Sequence, residues 1–343
     1  MYPKAYMNAD NPGDVNFMEP DRFRPGNILY SNRDTLKSLD PDRWAPHSIA
    51  GRDRKSGYQE GKGFNARFNF MTSFYQFNST TVVIADTSND CVRTVNRITN
   101  MTSWVSGKCA DPLGFGSVDG SFYSARFSGP YYFVKLPGFV SDGHEQLAFT
   151  DFSSIRIMDF TAETVSTMVE EDVIERPRVL TLSPDNSSLY FSFFNGIGQL
   201  EFATYRRTIL SQGYRHGTPV DGPLSSAVFG GDINAMAFLG EKVLIVSDKE
   251  NNIIRVIDLV DRQVSSICQH PTLDADSICP FGKVRSGDIT KCLTCVPQSF
   301  YIMREENKIL LGGIGALGYI KTTGQVFSCF CGTFKYSIYS WLV

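Results

Sequence analysis

The sequence lacks the features that mark membrane-spanning and nucleic-acid-binding proteins. It contains no apolar run of about 20 residues, the length that a membrane-spanning helix requires. Basic residues are not in excess, because 33 Lys and Arg stand against 36 Asp and Glu, for a net charge of -3. Contacts to the phosphate backbone need a positively charged surface, so this balance argues against a nucleic-acid partner.

Motifs of the common catalytic classes are also missing. The sequence has no G-x-S-x-G nucleophile elbow, no phosphate-binding loop and no H-E-x-x-H motif. The glycine-rich stretch 312–318 does not open a helix within a strand–helix–strand unit, so we interpret it as a turn. No two histidines lie at metal-ligand spacing, and we expect each of the four to be solvated: His47, His144, His216 and His270.

The abundant residues indicate a folded chain of short strands. The 343 residues include 29 Gly, 16 Pro, 26 Phe and 15 Tyr, a mixture that favours strands joined by turns. The length suffices for one large domain or two average ones. The first 14 residues lack the apolar core of a signal peptide. We therefore expect either a cytosolic chain or one whose leader is not part of this sequence, and the apolar last residues lead us to expect that the protein continues.

One motif recurs three times along the chain. In each copy an acidic residue and a Gly precede Ala-x-Phe: Glu60-Gly61 with Ala66 and Phe68, Asp119-Gly120 with Ala125 and Phe127, and Asp221-Gly222 with Ala227 and Phe229. The acidic-Gly pair predicts a turn, because Gly accepts positive φ and Asp can bond its own backbone. The Ala-x-Phe predicts the start of a strand whose Phe packs inward.

A second recurring unit follows each motif. It predicts a hairpin, in which two strands are joined by a polar turn that begins with Asp. The pairs Asp86 with Arg93, Asp151 with Arg156, and Asp248 with Arg255 occupy equivalent positions in it. Weaker copies raise the number of units to six, centred on Asn32, Asp86, Asp151, Phe193, Asp248 and Gly313. Six units of about four strands each predict an all-β fold, a six-bladed β-propeller of four-stranded antiparallel blades.

Two stretches carry a resemblance to a known repeat. TVVIADTSNDCVRTV, from Thr81, resembles the NHL repeat, and SIAGRDRKSGYQEGKGFNARF, from Ser48, resembles the linker between NHL blades. The resemblance covers residues 14–331 and implies one closed propeller, between an N-terminal extension 1–13 and a C-terminal tail 332–343. The blades it implies lie near 14–51, 66–108, 125–170, 174–212, 227–268 and 296–331. It identifies a fold and leaves the function open, because propellers host many functions.

The predicted blade geometry divides the loops between two faces. If strands A to D run antiparallel from the centre outward, the B–C turns and the D–A linkers emerge together, on what we call the linker face. Three glycosylation sequons, at Asn78, Asn100 and Asn186, fall in turns of the opposite face. Glycans there would leave the linker face free to bind. The alternative is that polar turns simply collect these residue types.

Blade-specific residues of the linkers are the candidates for partner binding. Phe115 lies in the linker 111–116, and Tyr214, Arg215 and His216 lie in the linker after the fourth blade. Aromatic and Arg side chains are the usual anchors of protein interfaces. The repeated Asp and Arg pairs could instead form a charged ring for a partner. Their recurrence at equivalent positions favours a structural role, in which each Asp caps its turn and pairs with its own Arg.

Eight cysteines bear on the cellular compartment: Cys91, Cys109, Cys268, Cys279, Cys292, Cys295, Cys329 and Cys331. We predict that Cys91 and Cys109 pair within the second blade, whose relevant strand ends share a face. A Cys-rich insertion, 269–295, precedes the last blade, and Cys268 or Cys279 could pair there with Cys292 or Cys295. Free thiols and a zinc site at Cys292 and Cys295 are the alternatives. The even count and the sequons favour an extracellular or secretory-lumen protein.

Three functions remain open from the sequence. The one we favour is a non-enzymatic binding or scaffold propeller, without a cofactor, that presents its linker face to a protein or glycan partner as a homo-oligomer or within a larger assembly. The second is a metal-dependent hydrolase or amidating-lyase-like enzyme, with calcium or zinc at the central channel near Asp232 and Asn234. The third is a cytosolic NHL interaction module, for which the local basic stretches 52–55 and 205–207 remain available.

Overall fold

The computed structural model describes residues 15–40, 45–141, 143–169, 174–194, 196–212, 219–251 and 253–268, and the strands between 299 and 339. The regular elements of these residues are strands and two short 3₁₀ turns, Gly63–Asn65 and Thr87–Asn89. None of the described segments is a helix long and apolar enough to cross a membrane.

Consecutive strands pair antiparallel into sheets. In chain order they are β1 (Val15–Pro20), β2 (Ile28–Asn32), β3 (Thr35–Asp40), β4 (Ala45–Gly51), β5 (Gly61–Lys62), β6 (Met71–Gln76), β7 (Thr81–Asp86), β8 (Cys91–Asn96), β9 (Met101–Gly107), β10 (Gly120–Ser121), β11 (Pro130–Lys135) and β12 (Gln146–Asp151). They continue with β13 (Ser154–Asp159), β14 (Thr164–Val169), β15 (Leu180–Leu182), β16 (Ser188–Phe193), β17 (Gly196–Glu201), β18 (Arg207–Gln212), β19 (Gly222–Pro223), β20 (Ile233–Leu239), β21 (Val243–Asp248), β22 (Ile253–Asp258) and β23 (Gln263–Cys268).

These strands form five blades of a β-propeller, each built on four antiparallel strands. Blade 1 is β1–β4, blade 2 is β6–β9, blade 3 is β11–β14, blade 4 is β15–β18 and blade 5 is β20–β23. The first strand of each blade contacts the first strand of the next, so these strands lie nearest the centre. The turn between β12 and β13 of blade 3 is tight, because Asp151 pairs with Ser154 and two residues remain between them.

The C-terminal strands form a further antiparallel sheet. They are β24 (Ser299–Met303), β25 (Lys308–Gly313), β26 (Ala316–Thr323), β27 (Val326–Cys331), β28 (Phe334–Lys335) and β29 (Ile338–Tyr339). This sheet departs from the four-stranded pattern, because β28 and β29 both pair with β27. The structure therefore gives five blades of the predicted kind where the sequence analysis predicted six.

The hydrophobic core lies between neighbouring blades. One buried cluster combines Val83 and Val92 of blade 2 with Phe133 and Phe149 of blade 3. Equivalent clusters join blade 1 to blade 2, blade 3 to blade 4, and blade 4 to blade 5. Burial of apolar area on both faces of a blade is the main term that holds such sheets together.

The acidic-Gly motif has a different role from the predicted turn. Gly61, Gly120 and Gly222 adopt φ values of +139°, +141° and +128°, which confirms that the motif needs a glycine backbone. Each of these glycines, however, begins a two-residue strand, β5, β10 or β19, which pairs outside the fourth strand of its blade. The linker thus adds a short fifth strand to blades 2, 3 and 5.

The Ala-x-Phe motif packs inward as predicted but does not begin a strand. Phe68, Phe127 and Phe229 are fully buried, yet the first strands of their blades begin later in the chain. In each case the linker folds back on itself through one isolated antiparallel bridge, as between Gln59 and Arg67. That bridge directs the Phe into the blade interior and leaves the inner strand to start after it.

Candidate functional site

The repeated motif converges on one fully buried arginine in each of blades 2, 3 and 5: Arg93, Arg156 and Arg255. In blade 3, Arg156 donates from Nη1 to Asp151 Oδ2 at 3.0 Å and from Nη2 to Asp119 Oδ1 at 2.8 Å. Its guanidinium carbon also lies 5.2 Å from the centre of the Phe127 ring. One side chain therefore joins the hairpin turn, the acidic residue of the linker and the buried Phe.

Blade 5 repeats this arrangement. Arg255 lies 2.9 Å from Asp221 Oδ1 and 3.5 Å from Asp248 Oδ2, and 4.7 Å from the Phe229 ring. In blade 2 the corresponding arginine pairs with a Glu in place of the linker Asp, at 3.3 Å. In all three blades the arginine also donates to two linker carbonyls. The predicted pairing of each Asp with its own Arg is therefore correct, because these guanidinium groups do not reach the surface. The predicted capping is wrong for Asp86, which makes no cap hydrogen bond to its turn. Each Asp carboxylate instead accepts from the amide that follows the buried Phe of its linker, at Asn69, Ser128 or Gly230.

The pKa values of the carboxylates around the buried arginines are shifted in opposite directions. Burial raises the pKa of Asp86 and of Asp151 to about 6, although the neighbouring arginine opposes the rise. Partial burial also acts to raise the pKa of Asp119, but hydrogen bonds from Arg156 and Thr167 outweigh it and leave that pKa lowered. The difference follows from exposure, because the hairpin carboxylate is enclosed whereas the linker carboxylate stays in contact with water.

Cys91 and Cys109 form a disulfide, as the sequence predicted, with their Cα atoms 5.0 Å apart. It joins the first residue of β8 to the linker that follows β9. Asp86, five residues before Cys91, anchors the same hairpin. The other six cysteines lie outside the residues whose side chains the structure describes: Cys268, Cys279, Cys292, Cys295, Cys329 and Cys331.

A small cleft lies beside this disulfide on the linker face. We call it the rim cleft. It has a volume of about 290 Å³ and is lined by Tyr58, Trp104, Gly107, Lys108, Cys109, Asp111 and Tyr123. The Trp104 indole donates to the Gly107 carbonyl at 2.8 Å and meets the Tyr123 ring edge-on at 6.1 Å. Lys108 Nζ lies 5.0 Å from the same ring, so the cleft combines aromatic walls with a cation.

The linker around the rim cleft carries large apolar side chains that face solvent. Leu113 is 81% exposed, Phe115 62% and Tyr123 76%, and we call these three residues the rim patch. The backbone beneath them is held in place: the Leu113 amide donates to Asp111 Oδ1 at 3.0 Å, and its carbonyl accepts from Arg126 Nη1 at 3.1 Å. Their exposure is therefore built into an ordered linker.

The other predicted residues fall into three groups. Tyr214, Arg215 and His216 lie outside the described residues. The sequon residues Asn78, Asn100 and Asn186 lie in turns between β6 and β7, β8 and β9, and β15 and β16, on the face opposite the linkers. Their modification stays a prediction. Of the described histidines, His47 lies in β4, and His144 Nδ1 lies 2.7 Å from an Asp159 oxygen.

The residues of the enzyme hypothesis have protein partners. Asp232 Oδ2 accepts from Lys249 Nζ at 3.1 Å, and Arg178 Nε lies 3.9 Å from its other oxygen. Asn234 is buried and also has a partner. A cation at Asp232 would have to compete with both basic side chains. Within the described residues, no three His, Cys, Asp or Glu side chains group in a way that could hold a metal.

Sequence reasoning missed Tyr58, Trp104 and Tyr123, because three separate segments supply them. A signal for one of them was present. Phe64 and Tyr123 occupy the same place in the repeated motif, two residues before its Ala, and both are strongly exposed. A single exposed apolar residue is common on protein surfaces, so this signal gains weight only because Leu113 and Phe115 of the same linker are exposed as well.

Comparison with protein-family models and with curated proteins gives no match. Solved structures of similar fold do exist. An auxiliary nutrient binding protein from Bacteroides thetaiotaomicron is 12% identical, with a TM-score of 0.60 over 90% of this chain and 69% of that chain. Virginiamycin B lyase from Staphylococcus aureus, in complex with quinupristin, is 12% identical, with a TM-score of 0.51 over 97% of this chain and 96% of that one.

A nidogen–laminin complex contains a third similar chain, 14% identical, with a TM-score of 0.50 over 76% of this chain and 81% of that one. The shared fold is the β-propeller. At these identities the likeness concerns the fold alone, and it does not single out the NHL family.

Proposed function

We propose that this protein is a non-enzymatic binding propeller of the NHL type that presents its linker face to a protein or glycan partner outside the cell. The rim patch carries this proposal. Leu113, Phe115 and Tyr123 expose large apolar surface next to the rim cleft, and exposed apolar groups clustered with a cleft mark interaction sites.

The rigidity of the linker supports binding. The Cys91–Cys109 disulfide and the hydrogen bonds around Asp111 order the linker before any partner arrives. A surface that is ordered in advance loses less conformational entropy on association, and therefore binds more tightly for the same contacts. Tyr and Trp, which contribute two of the cleft walls, are enriched among the residues that dominate interface energies.

The disulfide also supports the extracellular assignment. Structural disulfides persist in oxidising compartments and are rare in the cytosol, which argues against the cytosolic module. Two of the similar structures are a nutrient-binding protein and a nidogen–laminin complex, so binding is a use to which this fold is put. Glycans at Asn78, Asn100 and Asn186 would shield only the face opposite the rim patch.

We further propose that the C-terminal sheet closes the ring as a sixth blade, with the domain boundaries given above, 14–331 for the propeller and 269–295 for the insertion. Its first strand, β24, contacts both β1 of blade 1 and β20 of blade 5, which is the place that a closing blade occupies. The resemblance to NHL blades in 81–95 agrees with a closed ring, because closure protects the edges of the sheets.

The enzyme alternative, with calcium or zinc at Asp232 and Asn234, has the likeness to virginiamycin B lyase as its support. The lyase covers almost the whole chain, but the likeness is one of fold, and fold does not transfer chemistry. The ion pair of Asp232 with Lys249 gives this carboxylate a partner already. We therefore rank binding above catalysis.

The test uses matched surface variants. Wild-type protein, Phe115→Ser, Tyr123→Ser and a control, Tyr205→Ser, are immobilised and exposed to extracellular proteins from the native source, and bound proteins are quantified by mass spectrometry. Tyr205 is 69% exposed, like Tyr123, but lies in the turn between β17 and β18, on the opposite face. A partner that both linker variants lose and the control retains supports the proposal. A partner that only the control loses overturns it.

A further inference from the structure

A second group of side chains lies on the linker face near the centre of the propeller, away from the rim patch. It comes from the turns and strand entries of blades 3 to 5. We call it the mouth cluster: Tyr131, Phe152, Arg176, Arg178, Phe194, Asp232 and Lys249. Phe152, Phe194 and Lys249 lie in the turns between the second and third strands of their blades. Arg176, Arg178 and Asp232 lie just before the innermost strands.

Arg176 is supported by aromatic rings on two sides. Its guanidinium carbon lies 6.0 Å from the centre of the Phe152 ring and 6.0 Å from that of Phe194. Among the described residues it has no ion-pair partner, and its side chain is exposed. The contacts with the two rings hold a charged group in place without neutralising it.

The backbone at this place is unusual. Phe152 has a φ of +29° and Arg176 a φ of +51°, in a region that bulky side chains rarely adopt. For Phe152 the positive φ belongs to the two-residue turn between β12 and β13, which requires it. The consequence for the surface is that the Phe152 ring stays 56% exposed beside Arg176.

Arg178 extends the positive surface toward blade 5. Its guanidinium carbon lies 4.7 Å from the Tyr131 ring, and its Nε lies 3.9 Å from Asp232, which pairs more closely with Lys249 at 3.1 Å. The Glu250 carboxylate accepts from the Gly231 amide, next to Asp232, so the cluster has three cations for two carboxylates. Glu175 precedes Arg176 in the chain and has a partner of its own.

We propose that the mouth cluster binds an acidic sugar, a saccharide unit that carries a carboxylate. The guanidinium groups of Arg176 and Arg178 match a carboxylate in geometry and charge. The exposed Phe152 ring offers an apolar face for the carbon–hydrogen face of a sugar ring. The part-exposed Asp232 carboxylate accepts from a hydroxyl. A sugar acid supplies a carboxylate, an apolar face and hydroxyl donors together, whereas an acidic peptide side chain brings the carboxylate alone.

The test measures binding of defined probes by isothermal titration calorimetry. The probes are a hyaluronan octasaccharide and sialyllactose, which carry carboxylates, a neutral maltohexaose, and a glutamate octapeptide. The variants are Arg176→Gln and Phe152→Gly, the second of which removes the ring and accepts the positive φ. The control is Arg206→Gln, an exposed arginine of the same blade on the opposite face.

We expect at least one acidic sugar to bind and the neutral sugar not to bind. Arg176→Gln should weaken the binding by roughly tenfold or more, since a lost charge-assisted hydrogen bond costs that much. Phe152→Gly should weaken it by about tenfold, because it removes an aromatic contact surface and one of the rings beside Arg176. Arg206→Gln should stay within about twofold of wild type. Unchanged melting temperatures establish that the variants fold. If Arg176→Gln does not fold, the affinity of Phe152→Gly for the acidic sugar decides whether the mouth cluster is the binding site.

Two outcomes overturn the proposal. One is that neither acidic sugar binds the wild-type protein. The other is that the glutamate octapeptide binds as tightly as the sugars and is lost in the same variants, because the cluster would then recognise acidic peptides. The rim-patch variant Tyr123→Ser should leave sugar binding unchanged. A failure of the sugar-binding proposal can therefore be told apart from a failure of the proposal that the rim patch binds a partner.

Discussion

Arg156 Nη2 donates to Asp119 Oδ1 at 2.8 Å across 37 positions of the chain. The same guanidinium group holds Asp151 of the hairpin in its own blade. One buried cation therefore ties the incoming linker to the blade that it feeds, and blades 2 and 5 repeat this arrangement. This is why the linker can display exposed apolar side chains and still hold a defined shape.

The buried arginine should be essential for stability. Arg156→Met leaves Asp151 enclosed without its counter-charge, which typically costs about 3 to 5 kcal/mol. Urea unfolding followed by circular dichroism measures the change. The control Arg206→Met removes an exposed arginine and should change stability by no more than about 0.5 kcal/mol. A loss below about 1 kcal/mol for Arg156→Met would contradict the structural role.

The titration of Asp151 should be visible in the pH dependence of stability. Burial raises its pKa to about 6, above the ordinary value of an unfolded chain, so the folded state holds the proton more tightly. Its contribution is therefore fully present only below the unfolded pKa of about 4, declines between pH 4 and pH 6, and is lost as the pH rises through 6.

Asp151→Asn isolates this contribution, since other groups cancel in the comparison. The stability of wild type relative to the variant should fall by roughly 2 kcal/mol between pH 4 and pH 7, the part of the pKa difference that this interval covers. Urea unfolding at a series of pH values measures it. A wild-type advantage that grows with pH would show that the ion pair with Arg156, and not burial, governs this carboxyl.

Gly107 lies at the end of β9 and lines the rim cleft. Its φ is +88°, and an added Cβ would lie 2.6 Å from the Asp90 carbonyl and 2.7 Å from a Phe127 ring carbon. Gly26 has a φ of +90° and open space around it. Gly107→Ala should therefore lose about 1 to 3 kcal/mol more than Gly26→Ala, because the backbone strain is common to both and the clash is not. Thermal unfolding measures both losses. Equal losses of stability in Gly107→Ala and Gly26→Ala would mean that the atoms around Gly107 move to accommodate the added Cβ.

The disulfide should stabilise the linker and the fold together. It closes a loop with a sequence separation of 18, for which the loss of the cross-link costs about 3 kcal/mol. Without reductant, the Cys91→Ser, Cys109→Ser double variant should unfold at a lower temperature than wild type. With reductant, which opens the wild-type disulfide, the two proteins should unfold at the same temperature. A difference that survives full reduction would assign the effect to the serines.

The repeat pattern made the blades predictable, because three hairpins carry their own Asp and Arg and the others repeat the alternation of strand and turn. The Cys91–Cys109 pairing was predictable for the same reason, since both positions follow from one blade. Local patterns could not show that Phe68 precedes its strand. Phe68 is buried like a residue of an inner strand. The structure shows that the linker instead turns back on itself there, through the bridge between Gln59 and Arg67.

The sites were harder to predict than the fold, because they combine distant segments. Tyr58 and Tyr123 face one cleft from 65 positions apart, and no periodicity links them. Phe152 and Arg176 belong to different blades, and their positive φ values leave no mark in the sequence. The C-terminal sheet differed for a related reason, since β28 and β29 add strands that the repeat does not encode.

The most direct test of the central claim is the affinity of the partner found by capture for three forms of the protein. These are wild type, Tyr123→Ser and Tyr205→Ser, measured by surface plasmon resonance. If the partner binds the rim patch, Tyr123→Ser should raise the Kd by at least about tenfold, because it removes an anchoring aromatic side chain. Tyr205→Ser should change the Kd by less than about twofold. Equal effects, or a larger effect of Tyr205→Ser, would contradict binding through the linker face.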